Sequence, residues 1–188
     1  VHVYGVVCEV DKIEKIAAKH NLKVIYDAAH AFGIEVDGRG IGTFGDASMF
    51  SFHATKAFNS IEGGALTYGD SSLCKTIKDF KNFGLTDGEN VDCLGTNAKM
   101  NEFQAAMGIC NLRHIGDVLN KRRILTELYR NNLQGIPGLK MLPVQENVKS
   151  NYAYFPVFFD TDNGCPVSRD DVKAALEREN IFARRYFY

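Results

Sequence analysis

An α/β protein is expected: an open mixed sheet with helices over residues 1–134, then the beginning of a smaller α+β domain over residues 135–188. Three observations lead there. The valine-rich run Val1–Val7, an amphipathic stretch with Ile13, Ile16 and Ala17 on one face, and the apolar run Lys23–Tyr26 read as strand, helix, strand. The stretch Phe50 to Ala65 opens as a strand, breaks into small and polar residues around one lysine, Lys56, and closes on Gly63-Gly64 before a second apolar run, Ala65–Tyr68. From about Leu139 the pattern changes to short strand, helix and strand.

Each element has its own signals. Asp11 is the expected N-cap of the first helix, which should stop near His20-Asn21. The strand Lys23–Tyr26 completes a βαβ unit with a right-handed crossover, so Gly5 and Asp27 should face one crevice. Gly38-Arg-Gly40-Ile-Gly42 fails as a dinucleotide loop, because Thr43 stands where the third glycine belongs and no apolar helix follows; it reads as a turn. After Tyr68, Asp70-Ser-Ser can cap a helix carrying Leu73, Ile77 and Phe80, ended by Phe83-Gly84. Leu85 to Lys99 reads as a long loop.

Asn101–Leu112 is expected as a helix with Phe103, Met107 and Cys110 on one stripe, a core face by default and a dimer face as the alternative. Ile115–Leu133 is a longer helix with Val118, Leu119, Leu125, Leu128 and Tyr129 inward and Lys121-Arg-Arg123 solvated. Gly135-Ile-Pro-Gly138 terminates it. Tyr152–Phe159, interrupted by Pro156, suits an edge strand, and Ser168-Arg-Asp-Asp171 is a capping box before Val172, Ala175 and Leu176.

Composition narrows the function classes. The 188 residues are 45% hydrophobic and 24% charged with a net charge of −1, so nothing favours nucleic acid or an anionic membrane as partner. No apolar run approaches the ~20 residues of a membrane span. Five cysteines, with no C-x-x-C pair, argue against zinc and a disulfide framework and for reduced thiols in the cytoplasm. Entry directly into an apolar run at Val1, and an end on Tyr186, Phe187 and Tyr188 that wants a partner, read as a piece of a longer chain.

The chemistry concentrates at two places. Lost hydration disfavours the ammonium form of a lysine and frees an amine to attack a carbonyl, and ligands of open α/β sheets bind beyond the strand ends, where Lys56 should lie. Asp27 should stand at the carboxyl end of its strand, beside the small Ala28 and Ala29. Alone, the lysine reads as a solvated loop residue and the aspartate as a loop cap. Paired with Ser51-x-x-x-x-Lys56, they fit pyridoxal phosphate, which needs a lysine for its Schiff base, an acid for its ring nitrogen and hydroxyl or N–H donors for its phosphate. His53 reads as structural.

The runs Asp27-Ala-Ala-His30, Gly45-Asp46-Ala47, Phe50-Ser-Phe-His-Ala-Thr-Lys56 and Glu62-Gly-Gly64 resemble the DegT/DnrJ/EryC1/StrS family of pyridoxal-phosphate sugar aminotransferases, and the resemblance extends from Val1 to Tyr186. It implies the aspartate-aminotransferase fold (fold type I), with residues 1–134 as part of the large cofactor-binding domain. It implies Lys56 as the Schiff-base lysine, Asp27 on the pyridine nitrogen, Ser51 on the phosphate and His30 against the cofactor. Leu94-Gly-Thr-Asn97 matches a segment whose asparagine reaches the phosphate of a neighbouring subunit, so a homodimer with shared sites is expected. The implied partners are an amino-acid donor, glutamate, and a nucleotide-linked keto sugar. Ser-Phe-His-x-x-Lys followed by Glu-Gly-Gly goes with amination at C4 rather than C3. A non-catalytic relative and a sugar dehydratase are the alternatives; the dehydratase replaces the lysine with histidine.

Overall fold

The computed structural model describes residues 1–186; the expectation placed on Phe187 and Tyr188 falls outside the described residues. The chain divides into two compact units, one of Val1–Arg123 with Gln145–Ala153, the other of Ile124–Val144 with the residues from Tyr154 onward.

The first unit is organised on a mixed sheet of β1 (Ile25–Asp27), β4 (Ala47–Ser51) and β5 (Gly64–Tyr68) in the order β1-β4-β5. β1 and β4 are parallel, with Asp27 opposite Met49, and β4 and β5 are antiparallel, with Ser51 opposite Gly64. Side chains alternate across a strand. Tyr26, Ser48 and Phe50 therefore share the inner face and are buried with Val10, Ala28, Ile34, Ile41 and Phe44. The other face carries Ile25, 73% exposed, with Met49 and Leu66. The expected buried strand Lys23–Tyr26 thus starts two residues later, ends one residue later and is buried on one face only.

A second small sheet orders β3 (Arg39–Gly40), β2 (Glu35–Val36) and β7 (Val148–Lys149), all antiparallel. The glycine run is the hairpin between β2 and β3. Asp37 and Gly38 both take positive φ, 49° and 77°, as a two-residue turn matched to strand twist requires.

The expected first strand does not form. Tyr4 and Gly5 have φ of 58° and 81°, and Val3–Gly5 is a single 3₁₀ turn. Glycine suits position 5 in this turn: besides its positive φ, a Cβ there would lie 3.0 Å from Asn151 Oδ1 and 3.4 Å from His30 O. One strand-like bond survives, from His2 N–H to Asp27 O at 2.9 Å. The βαβ unit expected there is correspondingly absent. Helix α1 (Val10–His20) starts one residue before Asp11, which lies in the first turn, where a carboxylate complements the helix dipole. Asn21 closes the helix in the left-handed conformation.

Helices α2 (Leu73–Phe80) and α3 (Glu102–Leu112) form as expected, α3 behind a capping box between Asn101 and Gln104. The α3 stripe is not a core face in this chain: Phe103 is 85% exposed, and Met107 and Cys110 are also exposed. Helix α4 (Ile115–Leu133) has no fully buried residue, and Leu125, Leu128 and Tyr129 are exposed rather than inward. An apolar stripe is buried only where another element lies against it.

In the second unit, β6 (Leu139–Met141) pairs antiparallel with β8 (Val157–Phe159), the ordered core of the expected aromatic strand. Ser168 and Asp171 form the expected capping box ahead of α5 (Arg169–Arg178). No helix among the described residues is long and apolar enough to cross a membrane.

Candidate active site

Parallel pairing puts the carboxyl ends of β1 and β4 at the same edge, and the period of two puts Asp27, Met49 and Ser51 on one face. The position of Asp27 is held from both sides. Its Oδ1 accepts the Ala29 N–H at 2.9 Å, and the next amide, Ala28 N–H, donates to Met49 O at 2.8 Å. At the opposite ends of the same strands Asp46 is a clasp. Its Oδ2 accepts the Val24 N–H, its Oδ1 accepts Lys23 Nζ, and its own N–H donates to Val24 O, each at 2.8 Å. The lysine bond holds the Asp46 carboxyl below the usual range. This clasp sets the register that brings Asp27 and Ser51 to one edge.

Lys56 lies half-buried in the loop between β4 and β5, its N–H bonded to His53 O at 2.9 Å. The loop folds back on an aromatic trio. Phe58 stacks on Phe32 at 4.3 Å between centroids, and Phe52 meets both rings edge-on. Such pairs contribute about 0.5–1.5 kcal/mol each beyond burial. Ser60 N–H returns to Phe52 O at 2.9 Å. His53 Nδ1 accepts the Thr55 N–H at 3.2 Å, so the neutral ring carries its proton on Nε2, which faces Glu62 Oε1 at 3.3 Å. His53 therefore ties the two ends of the lysine loop, the structural role expected of it. Ser51 Oγ accepts the His53 N–H at 3.4 Å.

The Glu62-Gly63-Gly64 run closes the loop for steric reasons. Gly63 has φ of 151°, and a Cβ there would sit 2.5 Å from Ser60 Oγ; a Cβ on Gly64 would sit 2.7 Å from Phe50 O. Both residues must be bare.

His30 follows Asp27 on a short turn and is half-buried. Its Nδ1 accepts the Tyr4 N–H at 3.0 Å, which leaves the proton of the neutral ring on Nε2. Burial lowers its pKa, the Lys56 cation lowers it further, and the Asp27 carboxylate opposes both. Lys56, Asp27 and His30 thus share one electrostatic neighbourhood. His2, also beside Asp27, is buried and stacked on Tyr26 at 4.9 Å, and burial lowers its pKa.

Four of the expected site residues, Asp27, His30, Ser51 and Lys56, therefore gather at one sheet edge. Asn97 does not join them. It is exposed and pairs with Asn82 in an isolated antiparallel bridge. Tyr4, His2 and Asn151 border the site and had no signal in the sequence, because their contacts to it are long-range or run through the backbone.

The residues present fit pyridoxal phosphate. There is an amine on a loop, a carboxylate on the neighbouring strand tip with a small-residue floor at Ala28 and Ala29, a neutral imidazole, and a hydroxyl at the strand end. The class so defined is an α/β protein with a lysine loop and a carboxylate beyond the carboxyl ends of its parallel strand pair. The chain belongs to the DegT/DnrJ/EryC1/StrS aminotransferase family, whose profile matches residues 1–188. It is 44% identical over 188 residues to a dTDP-4-amino-4,6-dideoxy-D-glucose transaminase of Shigella dysenteriae, covering 100% of this chain and 51% of that protein. It is 41% identical to the enzyme of the same name from Escherichia coli, covering 100% of this chain and 50% of that one. A crystal structure of DesI in the presence of its TDP-sugar product superposes with a TM-score of 0.89 at 39% identity, covering 99% of this chain and 47% of that chain. The chain spans about half the length of the curated relatives it matches.

Proposed function

We propose that the protein carrying this chain is a pyridoxal-phosphate-dependent aminotransferase. It moves an amino group from an amino acid, glutamate, to the C4 keto carbon of a nucleotide-linked 4-keto-6-deoxy sugar. The observation that supports this best is the shared neighbourhood of Lys56, Asp27 and His30 at the sheet edge. When bound, the cofactor supplies an electron sink for the carbon that loses a proton. Lys56 would hold the cofactor through Nζ, and its free amine would take the proton from the donor's α-carbon. Asp27 keeps the cofactor's ring nitrogen protonated. An ion pair near 3 Å at an effective dielectric of 20 is worth about 5 kcal/mol before desolvation. Ser51 Oγ is the phosphate ligand, and the neutral His30 ring lies against the cofactor. Asn97 reaches the phosphate of a neighbouring copy in a homodimer, which accords with its exposure and its place in the bridge to Asn82.

The names of the two transaminase relatives support C4. A lysine at position 56 argues against the dehydratase, and the gathered lysine, carboxylate and serine argue against a non-catalytic relative. The test is to incubate the full-length protein with glutamate, pyridoxal phosphate and matched 3-keto and 4-keto sugar nucleotides, and to locate the new amine by NMR. The 4-amino product is expected, and none from Lys56→Ala. Amination at C3 alone would overturn the regiochemistry. No transfer to either sugar by a protein that binds the cofactor would overturn the reaction.

A further inference from the structure

Asn151 is 1% exposed, yet none of its amide capacity is wasted. Its Nδ2 donates to His30 O at 2.8 Å and to Phe32 O at 3.0 Å, and its Oδ1 accepts the Ala153 N–H at 3.1 Å. The segment that carries it is itself pinned. Gln145 exchanges two bonds with the Val7 backbone, at 2.9 and 2.8 Å, and β7 pairs with β2. Gly5, bare where a Cβ would come within 3.0 Å of Asn151 Oδ1, gives the side chain its seat. The two carbonyls it holds lead to two parts of the site. One belongs to His30, whose ring rests on the Tyr4 amide; the other belongs to Phe32, whose ring stacks under the lysine loop on Phe58.

We propose that Asn151 is a positioning residue for the cofactor site: its two amide hydrogens hold the His30–Phe32 turn, seating the His30 ring on the Tyr4 N–H and the Phe32 ring beneath the Lys56 loop. The proposal rests on the reading of Lys56, Asp27 and His30 as that site. Asparagine is required because the position needs two donors and one acceptor in a short side chain. Aspartate has the same shape but no donor when ionised, and would set a buried carboxylate against two carbonyl oxygens.

Two measurements on the full-length protein test this. The first is the ¹⁵N NMR signature of the His30 ring in the cofactor-free protein. The second is the dissociation constant of pyridoxal phosphate in wild type, Asn151→Asp, His30→Ala and the double variant. Wild type should show a single tautomer protonated on Nε2, and folded Asn151→Asp should show a mixture. Asn151→Asp should weaken cofactor binding about ten-fold with His30 present and by a clearly smaller factor, through the Phe32 arm alone, in the His30→Ala background. An equal loss in both backgrounds, or one unchanged tautomer in folded Asn151→Asp, would overturn the proposal. Should Asn151→Asp not fold, Asn151→Ser, which keeps one donor, is measured the same way. If wild type binds no pyridoxal phosphate, the cofactor reading fails, and the tautomer measurement alone decides whether Asn151 positions His30.

Discussion

Replacing Gly64 by alanine tests how closely β5 must approach β4 at the site. The added methyl would sit 2.7 Å from Phe50 O, well inside the 3.4 Å at which ordinary contact begins. The obstacle is backbone in the middle of a sheet, so no rotamer change relieves it; β5 has to draw away from β4 around the Ser51–Gly64 pair. That opens the end of the ladder, where Phe52 N–H donates to Gly63 O at 2.8 Å. Overpacking costs about 1–3 kcal/mol and a weakened ladder bond about 1 kcal/mol more, so a loss of roughly 2–4 kcal/mol is expected. Ser51 lies on the displaced pair, so cofactor affinity should fall with stability. Urea denaturation of the full-length variant measures the first, and absorbance titration with pyridoxal phosphate the second. A midpoint change worth less than about 0.5 kcal/mol, with unaltered affinity, would refute the steric argument.

Three further outcomes are expected. Asp27→Asn should lower turnover by about a hundred-fold or more and alter the absorbance of bound cofactor, because a neutral amide forgoes most of the Coulomb attraction to a protonated ring nitrogen; unchanged turnover would make Asp27 a loop cap. Acid should destabilise the fold through His2 and His30. Their folded pKa values lie below the unfolded 6.5, so the unfolded chain binds more protons between those values, and stability is full above about pH 6.5 and falls as pH drops through the window. His30→Gln should remove its share of that slope below about pH 6.5 and leave that of His2, and an identical slope in the variant would count against the assignment. Lys56→Ala and Asn97→Ala variants, each inactive and then co-expressed, should regain partial activity through hybrid dimers with one intact site. Hybrid dimers that form and stay inactive would place Asn97 in its own subunit's chemistry.

Much of this protein is decided by short-range pattern. The strand–loop–strand around Lys56, the aspartate at a strand tip, the helices with their Asn101 and Ser168 caps, and the β2–β3 turn at Asp37-Gly38 all follow from alternation, capping residues and glycine, which act within a few residues. The order and spacing of Asp27, Ser51 and Lys56 could be read as one ligand site for the same reason, since strand tips in a parallel pair converge. Other features depended on contacts between distant residues. Val1–Val7 has the composition of a strand, yet Val3–Gly5 is a 3₁₀ turn packed against Asn151, 146 positions beyond Gly5, a contact that composition does not encode. Asp46 is named in the sequence only within the run Gly45-Asp46-Ala47, and in the fold it clasps the Lys23 side chain and the Val24 backbone ahead of β1 and β4. The stripes of α3 and α4 read as inward faces, but amphipathicity says only that a face is apolar, and burial depends on which element lies against it. His30 could be named from its place after Asp27. That its ring stays neutral, with the proton on Nε2, is a consequence of the Tyr4 amide, the buried turn and the nearby Lys56 charge, groups that only the folded backbone brings to the same edge.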